Sequence, residues 1–420
     1  MVERYIDAAR SNADGSHEAA FFLADHYAVY DYDRGRVNDG VHAVAGLGFG
    51  QPFSPVGPDQ GLDAALKGRG GHARTGFQFR GAQYARVDLT TGIGDKGVGR
   101  LAAWALPVVN GAGLDAAFNG RAPTREGKAY FFQGTRYCRY DWARERPDPG
   151  YPRPIASLPG MAPPFAAGVD AAVDGEGPYA RTGFLFKGGH YLRVSWDPPG
   201  GGGPCVDGTP RGIQDDWPGL VELLTAGKAK AQALVWIADA MRHLAVPFDP
   251  LFATALATHF HVAPTAGAHE KATTIRLVQA QFTRVLTALG ESSIRFRFRT
   301  ADESMELDHN AEAPAAYFWD TRINFTPRFV ALGPAKRASA VLLETVRAVD
   351  PASAPASANV PDWYVTDAEA DRLGVPRRGP DPRWTMRYDE MSTAAALHNP
   401  SAYAAFARHL SLGGESRAST

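Results

Sequence analysis

The stretch SAVLLETVRAVDP, residues 339–351, sets Glu344 directly after Leu343 and three residues before Arg347, on a segment whose pattern predicts a helix stopped by Pro351. In the zinc-binding helix of a metal-dependent hydrolase both of these positions are imidazoles. They share one face at i and i+4 and hold the ion at about 2.0–2.1 Å, while the glutamate polarises the bound water. Here a leucine, with no lone pair to give, and a permanently charged guanidinium stand in those places. No catalytic zinc is expected on this turn, and Asp350, the remaining candidate ligand, is a single carboxylate. Arg347 lies at the spacing of a helical ion pair with Glu344 and would keep that carboxylate charged. Two readings follow. Either a fixed cation has replaced a metal in a pocket that binds an anionic group, with Glu344 as an acid–base residue, or Glu344 and Arg347 are a structural pair on a retained scaffold.

Other side chains join this inventory. Tyr388, in MRYDEM, offers a phenol for oxyanion stabilisation. His309, in ELDHNAE, and His398, in LHNPS, fall in segments read as loops that would face the same cleft, and His398 also sits beside the cap of a terminal helix. Arg295, Arg297 and Arg299 alternate along SIRFRFRT, so one strand face would present three guanidinium groups. Such a row receives a phosphate, a carboxylate or an acidic partner, or it keeps an edge strand charged against aggregation. His259, His261 and His269 lie in THFHVAPTAGAHE, where a helix end would point the first two apart, a poor metal set.

The elements that must position these groups come from a chain of 420 residues, long enough for two domains or three. Apolar residues make up 45% and charged residues 21%, a globular, soluble composition. A formal net charge of −1 offers no general field for nucleic acid or an anionic membrane. The opening MVERYIDAARSNADGS lacks the apolar core of a secretory signal, no run is long enough to span a bilayer, and a cytoplasmic location is expected. Cys138 and Cys205 are the only cysteines. They form either one disulfide or two free thiols, the latter favoured in a reducing compartment.

Four repeats fill the first half. IDAAR, LDAAL, LDAAF and VDAAV place Asp7, Asp63, Asp115 and Asp170 at intervals of 56, 52 and 55 residues. Each is followed by a second pattern: FQFRGAQYARVD, YFFQGTRYCRYD and FLFKGGHYLRVS carry Phe79-x-Gly81-x-x-Tyr84, Phe132-x-Gly134-x-x-Tyr137 and Phe186-x-Gly188-x-x-Tyr191. The first copy, FFLADHYAVYD, reads as irregular, with Leu23 and Tyr27 one residue closer and Asp25 in the glycine's place. Alternating aromatic and polar residues about a glycine turn predict a β-hairpin. Four units of about fifty residues, each unable to bury its own face, predict a small four-bladed propeller.

These residues resemble hemopexin-like repeats over roughly residues 1–227. The resemblance implies four blades around an axial channel, whose innermost strands aim main-chain carbonyls inward. The carbonyls of Asp7, Asp63, Asp115 and Asp170, and in a second ring those of Ala9, Ala65, Ala117 and Ala172, would hold a calcium or sodium ion. The alternative is that the aspartates only cap strand starts. The cysteine pair that joins first and last blades in secreted members is absent, so packing must close the ring. A single propeller gives no support for haem.

Beyond Gly227 the pattern turns helical. KAKAQALVWIADAMRHLAVPF carries apolar residues at 234, 237, 241 and 244; KATTIRLVQAQFTRVLTALG is a second helix ending near Gly290. SIRFRFRT and AYFWDTRINFTPRFV read as strands, the 339–351 segment as part of a third helix, and Asn399-Pro400 as the cap and first residue of a last one. Over residues 228–420 this is α+β. INFTPRFV leading into VLLETVRAVD, then DWYV, then HNPSAYAAFARHL, resembles the zincin-like domain of the deuterolysin and lysine-specific metalloendopeptidase group, without its two histidines. The fold expected is an all-β four-bladed propeller followed by a degenerate zincin-like domain. The function expected is binding of a small molecule or protein by the propeller, with a metal-free pseudopeptidase attached. The rival expectations are a metal-independent acid–base enzyme of secondary metabolism using Glu344 and Arg347, and a metallopeptidase with atypical ligands.

Overall fold

The computed structural model describes residues 3–13, 15–38, 40–49, 61–108, 113–121, 125–197, 204–246, 249–290, 294–300, 302–303, 315–319, 321–350, 352 and 392–413. Two compact units divide the chain, Met1–Lys228 and Ala229–Thr420.

The first unit contains four antiparallel sheets. Blade 1 is β1 (Ala8–Ser11), β2 (Glu18–Leu23), β3 (His26–Asp31) and β4 (Arg36–Val37), with β5 (His42–Ala43) also pairing β3. Blade 2 is β6 (Ala64–Lys67), β7 (Thr75–Arg80), β8 (Gln83–Asp88) and β9 (Gly94–Arg100). Blade 3 comprises β10 (Ala116–Asn119), β11 (Lys128–Gln133), β12 (Arg136–Asp141), β13 (Arg146–Pro147) and β14 (Arg153–Pro154). Blade 4 comprises β15 (Ala171–Asp174), β16 (Thr182–Lys187), β17 (His190–Ser195), β18 (Cys205–Val206) and β19 (Arg211–Gly212). Strands β1, β6, β10 and β15 each neighbour the next and close a ring about one axis. The Ala-Ala pair that begins each of them is buried, because four converging backbones leave room for little more than a methyl group.

Register shows that the first repeat is regular after all. Phe22 pairs Tyr27 as Phe79 pairs Tyr84, Phe132 pairs Tyr137 and Phe186 pairs Tyr191. The residue two after each phenylalanine is left-handed: Ala24 at φ 53°, Gly81 at 54°, Gly134 at 55° and Gly188 at 54°. Ala24, not Asp25, therefore occupies the glycine position, and the sequence alignment through Leu23 was one residue out. An alanine tolerates this conformation at a cost of about 1 kcal/mol, so the motif survives without its glycine.

Aromatic side chains fill the seams between blades. Between blades 2 and 3, the Trp104 ring lies 5.4 Å from Phe79 and 5.5 Å from Phe131. Trp217 closes the ring between the last blade and the first. Its centroid is 5.5 Å from Phe21 and 4.8 Å from Tyr30 on one side, and 4.9 Å from Phe184 and 5.4 Å from Phe186 on the other. The next carbonyl, of Pro218, accepts from the Val37 amide at 3.3 Å. Cys138 is buried in blade 3, Cys205 is half-buried in blade 4, and both are free thiols. Two short helices, α1 (Pro163–Ala166) and α2 (Ile213–Asp216), complete the blades' connections.

Helix α3 (Leu220–Ala245) begins before the unit boundary, earlier than the repeats' end suggested. Its buried residues near the C-terminal half are Ala233, Trp236, Ile237, Ala240 and Leu244, while Leu234 and Met241 are only half-buried. The apolar face is thus centred one residue from the spacing read in the sequence. The second unit continues with α4 (Pro250–Phe260), α5 (Ala268–Gly290), β20 (Arg295–Phe298), β21 (Ala316–Trp319), β22 (Arg322–Phe325), α6 (Arg328–Ala331), α7 (Pro334–Val349), α8 (Thr393–Ala396) and α9 (Pro400–Leu412). Its described residues are largely helical with one small mixed sheet, ordered β20-β22-β21, in which β20 runs parallel and β21 antiparallel to β22. AYFWDTRINF is therefore a hairpin rather than one strand, turning at Thr321, whose φ is 63°. Phe260, Phe282, Tyr403 and Phe406 bring α4, α5 and α9 onto one aromatic core. Asn399 caps α9 by accepting from the Ser401 amide at 2.9 Å. No helix among the described residues is long and apolar enough to cross a membrane.

Candidate functional site

The repeat aspartates mark one end of the propeller axis, and their carboxylates are committed locally. Asp7 accepts from the amide of Ala24 at 2.7 Å, Asp63 from Gly81 at 2.5 Å, Asp115 from Gly134 at 2.5 Å and Asp170 from Gly188 at 2.7 Å. Each ties its innermost strand to the hairpin turn of its own blade, and the left-handed turn residue aims the amide at it. Burial pushes the Asp7 and Asp63 carboxyls above the usual range, with Arg4 opposing that at Asp7 and the Gly81 amide opposing it at Asp63. Two of the four carbonyls of the proposed first ring are also engaged. Arg4 Nη2 donates to the carbonyl oxygen of Asp7 at 2.7 Å and to that of Asp170, while its Nε lies 3.2 Å from the Asp7 carboxylate. A hard cation needs those oxygens free of a neighbouring positive charge, so this end of the axis fits an ion poorly. Ala9, Ala65, Ala117 and Ala172 lie in the innermost strands, within the same ring of backbones.

At the other end, four residues hold equivalent places, each four positions after a repeat aspartate: Ser11, Lys67, Asn119 and Asp174. All are fully buried or nearly so. Ser11 Oγ donates to the Asp174 carbonyl at 2.9 Å, and Asn119 Nδ2 donates to the Lys67 carbonyl at 2.8 Å. The Asp174 carboxylate accepts from Arg69 at 2.8 Å and Arg121 at 2.7 Å; Arg121 also bonds Glu176, whose oxygen stands 3.7 Å from Lys67 Nζ. Burial alone would raise the Asp174 carboxyl, but Arg121, Arg69 and Lys67 together hold it below the usual range. Sequence reading passed over this cluster because the four equivalents are chemically unlike. The available signal was a polar residue in the same place after every Ala-Ala pair.

The second candidate lies on α7. Glu344 is buried, and Arg347 Nη1 donates to both of its oxygens at 3.0 and 3.1 Å. The Phe318 amide of β21 donates to Oε2 at 2.8 Å. The carboxylate therefore caps a strand amide and pairs with a cation, which fastens helix to sheet. Burial pushes its carboxyl up, and Arg347 and the amide only partly offset this. Leu343 is half-buried beside it. His398 Nδ1 lies 3.1 Å from Asp350 Oδ2, so those two predicted residues do meet. Tyr388 and His309 lie outside the described residues. Arg295 is exposed on β20, whereas Arg297 and Arg299 are half-buried, and β20 pairs only with β22 among the described strands. His259 is buried with Nε2 3.0 Å from His409 Nδ1, and His261 takes the left-handed position that ends α4. Among the described residues no group of three or more His, Cys, Asp or Glu side chains is arranged to hold a metal.

Comparison with known proteins agrees with the repeat geometry of the first unit. The hemopexin family model matches residues 114–163, which span blade 3 from its first strand to the start of α1. Albumin-2 of Lathyrus sativus is 27% identical over 236 residues, which are 52% of this chain and 97% of that protein. Among solved structures, a hemopexin fold protein CP4 from cow pea is 24% identical, covers 51% of this chain and 96% of that one, and has a TM-score of 0.42. A plant lectin with two metal binding sites from Cicer arietinum gives the same identity, coverages and TM-score. The chain thus carries a hemopexin-like repeat region followed by a mainly helical portion.

Proposed function

We propose that this chain is a ligand- or partner-binding protein. Its propeller supplies the binding surface, and its second unit is a zincin-like scaffold that does no peptidase chemistry. The observation that carries the reading is the use already made of Glu344. Both of its oxygens accept from Arg347, and Oε2 also accepts from the Phe318 amide, which commits the carboxylate to fastening helix to sheet. The order of β22, α6 and α7, followed by the Asn399-capped α9, supports the zincin-like reading of the scaffold. The rival readings, acid–base catalysis at Glu344 and zinc hydrolysis with unusual ligands, find less support in that arrangement. The propeller, in contrast, has a surface cleft of about 620 Å³ lined by Pro164, Phe165, Asp170, Lys187, Gly188, His190 and Pro210. Apolar walls with a few cationic and polar groups are what a small-molecule site requires. The unpaired Cys138 and Cys205 support action in a reducing compartment, in keeping with a cytoplasmic protein.

The test is a thermal-shift screen of the full chain against small carboxylates, phosphates and glycans, with hits titrated calorimetrically against His190→Ala. His190 is exposed, so its removal leaves the fold intact. Binding weakened about fivefold or more in the variant supports the reading. Equal affinity in both proteins removes the cleft as the site. Hydrolysis of a casein substrate by zinc-loaded chain would overturn the pseudopeptidase assignment.

A further inference from the structure

We infer that the propeller axis carries its own cations and takes no resident metal ion: Arg4 occupies one end, and Lys67 with Arg69 and Arg121 the other. The surface cleft borders the first of these ends, with Asp170 common to both.

At the first end, a ring ion would need the carbonyls of Asp7, Asp63, Asp115 and Asp170 together. Two of these, from the first and last blades, already accept from a single guanidinium nitrogen. An ion bonded to the same oxygens at ordinary calcium–oxygen distances would lie within about 5 Å of that nitrogen. Like charges so close repel strongly where little water screens them. The four carboxylates that might offset the repulsion are turned to turn amides instead, and Arg4 is itself paired with Asp7. Arg4 is also well suited to the place. Its planar fork reaches carbonyls from two different blades, which one spherical ion would also do. It thereby joins the first and last blades, the seam that Trp217 closes farther out.

At the second end, three cations face two carboxylates. Lys67 is fully buried, its ammonium 3.7 Å from Glu176, while Arg69 and Arg121 converge on Asp174. Among the described residues these three cations outnumber the two carboxylates, so a metal cation gains nothing by entering.

The experiment uses the full chain, stripped with chelator and titrated with calcium chloride and separately with sodium chloride against choline chloride. Calorimetry and thermal unfolding are read together. The wild-type chain should show no saturable site, and its Tm should move by less than about 1 °C. Arg4→Met, which removes the guanidinium from the two carbonyls, should gain a calcium- or sodium-dependent rise in Tm of about 2–4 °C. One ion bound saturably per wild-type chain would overturn the inference. So would an Arg4→Met chain that folds and stays as indifferent to both ions as the wild type. The wild-type titration decides the matter even where the variant is too unstable to measure.

Discussion

The two buried charge clusters of this chain are built on opposite plans. On the propeller axis, Lys67, Arg69, Arg121, Asp174 and Glu176 come from three blades and lie as far apart as 109 positions, the separation of Lys67 from Glu176. On α7, Glu344 and Arg347 sit one helical turn apart, and the Phe318 amide arrives from β21. The axial cluster exists only when the ring is closed, so it reports on global assembly. The helical pair needs little more than the helix and one strand. In both, a buried carboxylate is held by donors of the protein itself.

Removing a member should show the difference in size. Asp174→Ala strands Lys67, Arg69 and Arg121 around a lost charge, and a buried pair broken in this way costs about 3–5 kcal/mol. Chemical denaturation should show that loss in the transition of the first unit. Glu344→Gln keeps the shape and loses a charged acceptor for Arg347 and Phe318, at a cost of about 1–3 kcal/mol. A loss as large as that of Asp174→Ala would mean that the helical pair also carries long-range structure.

The two clusters should also part company with pH. Asp174 is held below the ordinary carboxyl range, so its stabilisation is present above the unfolded value and is lost as pH falls through the folded one. Glu344 is raised, so its protonated form favours the fold. Stability from that site falls as pH rises from the ordinary glutamate value through the raised one. The destabilisation by Asp174→Ala should therefore shrink as pH falls below the ordinary aspartate value of about 3.9, whereas that by Glu344→Gln should shrink as pH rises above the ordinary glutamate value of about 4.3. Parallel shifts would erase the distinction. The smallest effect tests the purely local end of the comparison. Ala24→Gly should stabilise the first hairpin by about 0.5–1 kcal/mol, because the left-handed turn beside Asp7 needs no side chain. A destabilised variant would show that the Ala24 methyl group packs usefully.

Much of the first unit was legible because its elements repeat. The aspartate, the alanine pair and the Phe-x-Gly-x-x-Tyr turn recur since each blade must solve the same local problem, and the one misreading, at Leu23 and Asp25, came from expecting glycine where Ala24 serves. The 316–325 segment was harder, for its turn lies at Thr321, a β-branched residue that signals no reversal. In the last helix the cap at Asn399 was plain from residue type and order alone.

From composition and spacing alone followed the four repeats, the aromatic hairpins, and a glutamate whose flanking residues cannot ligate zinc. These are properties of short windows, fixed by side-chain chemistry and strand or helix period. Which carboxylate meets which cation was decided only by the closed ring. Arg4 reaches the Asp170 carbonyl, and Arg121 reaches Asp174, across separations that no period encodes. Burial then set the consequence, since the same carboxyl group is raised at Glu344 and lowered at Asp174 according to how many cations the folded chain brings beside it.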